Sequence, residues 1–313
     1  MVIYIISDEK KGHLSQTRGL AGALIERAMQ KAPNVPHSVH EISIVGKNWF
    51  SRFCYKGKDL NFPRPNLILC AGHSTHLAAI SLSRHLRCPR IVCMKPSLPT
   101  GMFDLCIVPR HDIPEGKQAP DNVFLTNGAI NTIKPCPDTE KKDTLILIGG
   151  PSKEFDWDAE TIINQLSTIV RHSTNNIVLT TSRRTPKDFV QDVTTTCPSI
   201  RVEPVEQTGP TWVQDHLACA REVWVTQDSV SMVYEALCSG APVGVIEMKR
   251  KRTKNPDKVS RVSRGLDMLT ADGEVCTFTA WATEYKLPQT HAILNEAGRA
   301  ADFVLTKFPQ LIP

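Results

Sequence analysis

Several loops of the chain place reactive side chains directly after strand-like apolar runs. In residues 225–236, VTQDSVSMVYEA, a strand ends at Thr226 and Asp228 or Ser229 caps the next helix. The first turn of such a helix offers unpaired N–H groups and a partial positive charge, a seat for a diphosphate. Glu235, one to two turns further in, is near enough to accept the vicinal hydroxyls of a ribose. Gly149-Gly150-Pro151-Ser152 follows another strand, where glycines let backbone N–H groups approach an anion. The loop 181–186, TSRRTP, follows a third, and Arg183 there suits bidentate pairing with phosphate. Each feature alone also reads as an ordinary cap or turn. Their shared position at carboxyl ends of strands is the stronger argument.

The N-terminal half repeats the arrangement. Asp8-Glu9-Lys10-Lys11-Gly12-His13 is read as the loop after strand one, with His13 at a helix start. A histidine there can act as a general base near neutral pH, with Asp8 orienting it or serving instead. Ala71-Gly72-His73-Ser74 puts a second histidine, His73, on the same rim, and Pro109-Arg110-His111-Asp112 a third.

These loops need a scaffold, and the pattern supplies one. Val2–Ser7, 39–44, 66–70, 91–94 and 105–108 have strand length and composition, separated by helical periodicity at 14–28 and 74–86. Residues 133–143, IKPCPDTEKKD, carry two prolines and dense charge and read as a linker. The alternation then restarts, with strands at 144–148, 176–180, 200–203, 222–226 and 243–246 and helices between them. The fold class expected is α/β, with two Rossmann-like doubly wound domains facing across a cleft, 1–135 and 143–288. A terminal helix within 289–313 packs back on the N-terminal domain. Ligands of such sheets bind beyond the carboxyl ends of the strands.

Composition narrows the classes. Hydrophobic residues make up 41% of the 313 positions and charged residues 22%, a globular balance. No apolar run reaches the roughly 20 residues of a membrane helix, and Val2–Ile6 follows Met1 with no basic leader, so the expectation is a cytoplasmic protein. The ten cysteines are scattered without a CxxC pair, which fits reduced core thiols rather than a metal site or disulfide framework. Much of the net charge of +5 lies in residues 249–264. No aromatic interleaves that run, so nucleic acid is not expected; a membrane surface or a protein partner suits it better.

Taken together, these segments resemble one family. The loop holding Gly12-His13 is similar to the first loop of the peptidoglycan GlcNAc-transferases. More closely, the chain resembles the mitochondrial-fission Elm family of GT-B character. The likeness rests on Lys11-Gly12-His13 with Gln16, Cys70 to Ser74, Phe103-Asp104 with Pro109 to Asp112, Thr126 to Asn131, Ile148 to Ser152, Thr181 to Pro186, and Thr226 to Ala236. One departure is Glu9, where the family usually has glycine; an acidic residue there opposes phosphate binding by that loop. The resemblance implies a nucleotide-sugar-type site in which Thr226, Asp228, Ser229, Ser231 and Met232 line the phosphate and sugar region and Glu235 holds the ribose. In plants such proteins act at the mitochondrial surface through partner recruitment.

Three functions can be set against these features. The first is a metal-independent transferase taking a nucleoside-diphosphate sugar as substrate, donor held by Gly149, Gly150, Ser152, Ser182, Arg183 and the 226–235 segment, acceptor deprotonated by His13, Asp8 or His73. No DxD-like acidic pair follows a donor-side strand, so neither a metal nor another cofactor is expected; helix dipole and arginine stabilise the leaving diphosphate. The second is a non-catalytic scaffold on the same fold. The third, a sugar-nucleotide epimerase or dehydrogenase, needs an early G-x-G-x-x-G turn that 8–13 lacks.

Overall fold

The computed structural model describes residues 1–57, 60–113, 116, 118–136, 139–251, 261–289 and 293–312, apart from the side chains at 261–262. The described residues divide into two compact units. Unit 1 is Met1–Thr132 with Asn295–Pro313, and unit 2 is Ile133–Leu294.

Unit 1 is a six-stranded parallel sheet. Its strands are β1 (Val2–Ser7), β2 (Ser38–Ser43), β3 (Leu67–Cys70), β4 (Arg90–Cys93), β5 (Leu105–Pro109) and β6 (Val123–Thr126), in the order β2-β1-β3-β4-β5-β6. The central strands are apolar at nearly every position because both faces are covered. Helix α1 (Lys11–Lys31) buries Leu20, Leu24 and Ala28 on one face. Each fully buried leucine contributes about 1.5–3 kcal/mol. On the other face α3 (His76–Leu86) covers β3 and β4 through Ala78, Ala79 and Leu82. A short helix, α2 (Trp49–Phe53), begins at Asn48, whose side chain accepts from the Ser51 N–H.

Unit 2 repeats the design. Its strands β7 (Asp143–Leu147), β8 (Asn176–Thr180), β9 (Ile200–Glu203), β10 (Ala220–Thr226), β11 (Val243–Ile246) and β12 (Cys276–Thr277) are all parallel, in the order β12-β11-β10-β7-β8-β9. The helices are α4 (Ala159–His172), α5 (Phe189–Thr196), α6 (Trp212–Cys219), α7 (Val230–Cys238), α8 (Arg261–Ala271) and α9 (Phe278–Glu284). Its core gathers Ile146, Leu166, Leu179 and Trp224.

The last helix, α10 (Glu296–Lys307), belongs to unit 1. Ala300, Ala301, Val304 and Leu305 join the cluster under α1, and Phe303 stacks on Phe124 of β6 at 4.5 Å. The helix starts later than periodicity suggests. Asn295 caps it through the Gly298 N–H, while residues 290–292 fall outside the described chain. At the other end, α1 starts earlier than expected: Gly12 and His13 sit in its first turn, not in a loop.

All ten cysteines are free thiols, and Cys70, Cys93, Cys106 and Cys238 are buried. Among the described residues no helix is long and apolar enough to cross a membrane.

Candidate functional site

Strand order marks where a ligand crevice forms. In sheet 1 the order reverses between β1 and β3, and in sheet 2 between β7 and β10. Such switch points open a crevice beyond the carboxyl ends of the strands. The candidate residues of both halves fall in the loops flanking these two places.

In unit 2 the loops after β7, β8 and β10 are laced together. Thr226 Oγ1 accepts the Gly149 N–H at 2.6 Å. Asp228 Oδ2 accepts the Gly150 N–H at 3.2 Å, Arg184 Nη2 at 2.6 Å and the Ser229 hydroxyl at 2.8 Å. Arg184 also donates to Ser229 Oγ and to the carbonyls of Gly150 and Pro151. Ser182 and Thr185 donate to the Gly149 carbonyl. The glycines are required for this closeness: a Cβ on Gly149 would strike the Asp228 carboxylate, and one on Gly150 the Arg184 backbone. Their N–H groups therefore serve Thr226 and Asp228, and Asp228 caps the turn rather than α7. Ser152 Oγ closes its own turn by accepting the N–H groups of Glu154 and Phe155.

What remains free lies at the start of α7. Its N-cap, Ser229, makes no side-chain capping bond. The N–H groups of Met232 and Val233 reach the Ser229 carbonyl, whereas those of Val230 and Ser231 meet no acceptor among the described residues. Ser231 is exposed, and Glu235 lies on the same face at i+4. Burial pushes the Glu235 carboxyl up to about 7, and it has no hydrogen-bond or ion-pair partner among the described residues. Met232, next to Ser231 in sequence, is half-buried. Arg183 is exposed and likewise without a partner there, so of the adjacent arginines 184 is the clamp and 183 the unengaged cation. The clamp residues Arg184 and Thr185 were not singled out in the sequence; adjacent arginines carry no signal that separates them.

In unit 1, His13 Nδ1 lies 2.9 Å from Asp8 Oδ1. The Ser74 hydroxyl donates to Asp8 Oδ2 at 2.7 Å. Burial raises the Asp8 pKa, but the bonds from Ser74 and His13, the charge of His13 and the Lys10 N–H outweigh it, leaving the carboxyl below its ordinary value. Gly72, at φ +86°, is packed so closely by the His13 ring that a Cβ there would collide with it. Ser74 is a member that sequence reading missed. His73 is exposed and makes no bond to this cluster. Glu9 adopts φ +61°, a left-handed conformation natural to glycine, and its carboxylate accepts from Ser43 Oγ at 2.7 Å.

Of the basic run, Lys251 donates to the Ser152 carbonyl and Arg250 pairs with Asp267 at 3.1 Å. Residues 252–260 lie outside the described chain.

The family model described as Mitochondrial fission ELM1 matches residues 11–308. The chain belongs to this family. All the loops of both ELM1-type clusters except Asp8 to Lys10 lie within the matched span. An uncharacterized protein of Rickettsia prowazekii (strain Madrid E) is 25% identical, covering 78% of this chain and 82% of the relative. Among solved structures, a UDP-GlcNAc 2-epimerase from Neisseria meningitidis bound to UDP-GlcNAc aligns over 99% of each chain, at TM-score 0.55 and 12% identity. AviGT4, a glycosyltransferase involved in avilamycin A biosynthesis, aligns over 100% of this chain and 98% of its own, at TM-score 0.52 and 15% identity. These likenesses establish a GT-B-like fold for this ELM1-family chain. The same fold serves epimerases and transferases, so lack of a G-x-G-x-x-G turn bears only on dinucleotide chemistry.

Proposed function

We propose that this ELM1-family protein binds a nucleoside-diphosphate sugar in unit 2 and transfers the sugar to an acceptor without a metal. The observation that carries the reading is the pairing, on one face of α7, of unengaged first-turn N–H groups at Val230 and Ser231 with the unpartnered carboxylate of Glu235. The N–H groups and helix dipole hold the diphosphate, an interaction contributing about 0.3–2 kcal/mol. Arg183 adds charge to the same anion. Glu235 accepts the two ribose hydroxyls, which supply the donors it lacks. Thr226, Asp228, Ser229, Gly149, Gly150 and Ser182 hold the loops in register. Ser152 and Met232 flank the donor.

His13 is the general base in this reading. Asp8 holds its Nδ1 side, which leaves Nε2 to take the acceptor proton, and Ser74 fixes Asp8 in turn. Helix dipole and arginine, rather than a cation, stabilise the departing diphosphate.

One observation favours a second reading, a nucleotide-binding or empty scaffold that recruits a partner. Asp228 already occupies the Gly150 N–H and the Arg184 guanidinium, two groups otherwise suited to a phosphate. Thermal shift with UDP, GDP, CDP, TDP and ADP and their sugar conjugates tests both. Stabilisation by one base, at least tenfold weaker in Glu235→Ala, supports donor binding; release of free nucleoside diphosphate from the conjugate supports transfer. Binding without turnover favours the scaffold. No stabilisation by any nucleotide overturns the donor site.

A further inference from the structure

Among the described residues of unit 1, three large apolar side chains left uncovered lie on α2, and Val45 precedes it closely. Val45, Trp49, Phe50 and Phe53 are 57%, 66%, 67% and 53% exposed. Trp49 and Phe53, one turn apart on α2, stack at 5.6 Å with planes 8° from parallel. The scattered exposure of single apolar residues is ordinary, but four large ones within nine positions of the chain form a patch.

The segment holding them is pinned from below. Ile44 and Tyr55 are buried, Lys47 sits over the Tyr55 ring at 4.9 Å, and Arg52 donates to the Ser74 carbonyl at 3.5 Å. The aromatic face is thus fixed outward rather than awaiting collapse into the core. Within the segment itself the charge is of one sign, while the exposed Glu9 carboxylate bonds Ser43 at its near edge. From Ile42 to Gly57 the chain carries Lys47, Arg52 and Lys56 and no acidic residue. The neighbouring end of α3 adds exposed Arg84 and His85. A groove of about 340 Å³ runs between the two helices, lined by Phe53, Lys56, Leu77, Ile80, Arg84 and His85 among others.

We infer that α2 and the adjoining end of α3 form a docking surface for an anionic lipid bilayer. Trp and Phe seat at the level of the headgroups, where an aromatic body is half in hydrocarbon. Lys47, Lys56 and Arg84 then face anionic headgroups, whose negative surface potential attracts them. The side chains stand proud of the surface by more than half their area, which suits insertion into a soft interface. Neither apolar burial nor charge alone gives firm attachment; the combination does.

The test is sedimentation of the full chain with vesicles of phosphatidylglycerol and phosphatidylcholine in equal parts, against pure phosphatidylcholine. The protein is expected to pellet with the anionic vesicles and to be released by high salt. Trp49→Ser/Phe50→Ser/Phe53→Ser and Lys47→Glu/Lys56→Glu/Arg84→Glu should each lower partitioning about tenfold or more. A far-UV melt of each variant verifies that the fold is intact, and the single variant Lys56→Glu, expected to lower partitioning several-fold, serves if a triple variant does not fold. Failure of the wild type to pellet with anionic vesicles, or pelleting of the folded variants equal to wild type, overturns the inference. So does a wild-type dimer in solution that the aromatic variant splits without any vesicle binding, which would make the patch a contact between two copies.

Discussion

Arg184 Nη2 lies 2.6 Å from Asp228 Oδ2, joining the loop after β8 to the loop after β10. The Asp228 side chain is wholly buried, while the arginine is about half exposed. The pair also organises the β7 turn, because the same carboxylate oxygen takes the Gly150 N–H. Arg184→Ala should therefore destabilise the protein by about 1–3 kcal/mol, by leaving a buried acceptor short of its donor. Arg184→Lys should recover only part, since an ammonium cannot span Asp228, Ser229 and the Gly150 and Pro151 carbonyls together. Urea denaturation measures both; an unchanged midpoint for Arg184→Ala would show that the clamp bears no stability.

Arg183 gives the opposite expectation. It is exposed and makes no bond among the described residues, so Arg183→Ala should leave the urea midpoint within about 0.5 kcal/mol of wild type. Nucleoside-diphosphate affinity should fall about three- to tenfold, and the salt dependence of binding should flatten. Calorimetric titration at two ionic strengths reads this directly.

If Glu235 holds the ribose as proposed, binding should depend on pH. Its carboxyl, raised by burial to about 7, is half protonated near neutrality, whereas in the proposed site only the ionised form would accept both ribose hydroxyls. Affinity for a nucleoside-diphosphate sugar, which has no titrating group of its own there, should rise from pH 6 to pH 8. Glu235→Gln should abolish that slope. The free protein should show the reverse dependence. The folded state holds a proton that the unfolded chain has released, so stability falls as pH rises from the ordinary glutamate range to about 7. Melting temperatures of wild type and Glu235→Gln across that range check the sign.

Asp8 has the contrary linkage. Its folded pKa is depressed, so its stabilising contribution is complete above the ordinary carboxylate value of about 4 and is lost as pH falls through the lowered value. Asp8→Asn should cost stability at pH 7 and progressively less in acid, until the two unfolding curves converge. Ser74→Ala should move the acid limb of wild type towards higher pH, because it removes one of the bonds that hold the carboxyl down.

Glu296, 2% exposed, fastens α10 to unit 1 by accepting the Asn127 N–H at 2.8 Å, and also pairs with Arg299 within the helix. Glu296→Ala should cost about 1–3 kcal/mol and increase proteolysis within the last helix. Limited proteolysis with mapping of the first cleavage distinguishes this from a uniform loss of stability.

Strands buried on both faces were legible because burial leaves them no freedom of composition. VIYIIS, LILC and TLILI cannot be surface segments, and β1, β3 and β7 lie where those runs predict. β6 escaped notice because it is a four-residue strand at a sheet edge, half-covered, whose side-chain packing includes Phe303 of α10, distant in the sequence. The five residues of α2 are too few for helical periodicity to register. Within the site, the Asp8–His13 pair and the α7 residues could be suspected from spacing. The use made of Gly149 and Gly150 could not, because it depends on Asp228 and Arg184, dozens of positions away.

The return of α10 to unit 1 has a consequence for synthesis. A ribosome releases all six strands of the first sheet before unit 2 begins, yet the cluster beneath α1 lacks Ala300, Ala301, Val304 and Leu305 until residues 300–305 emerge. Unit 2, contiguous in the chain, has all its residues in hand earlier. The half made first is thus completed after the other, and its apolar underside stays open to solvent or to chaperones while unit 2 is being made.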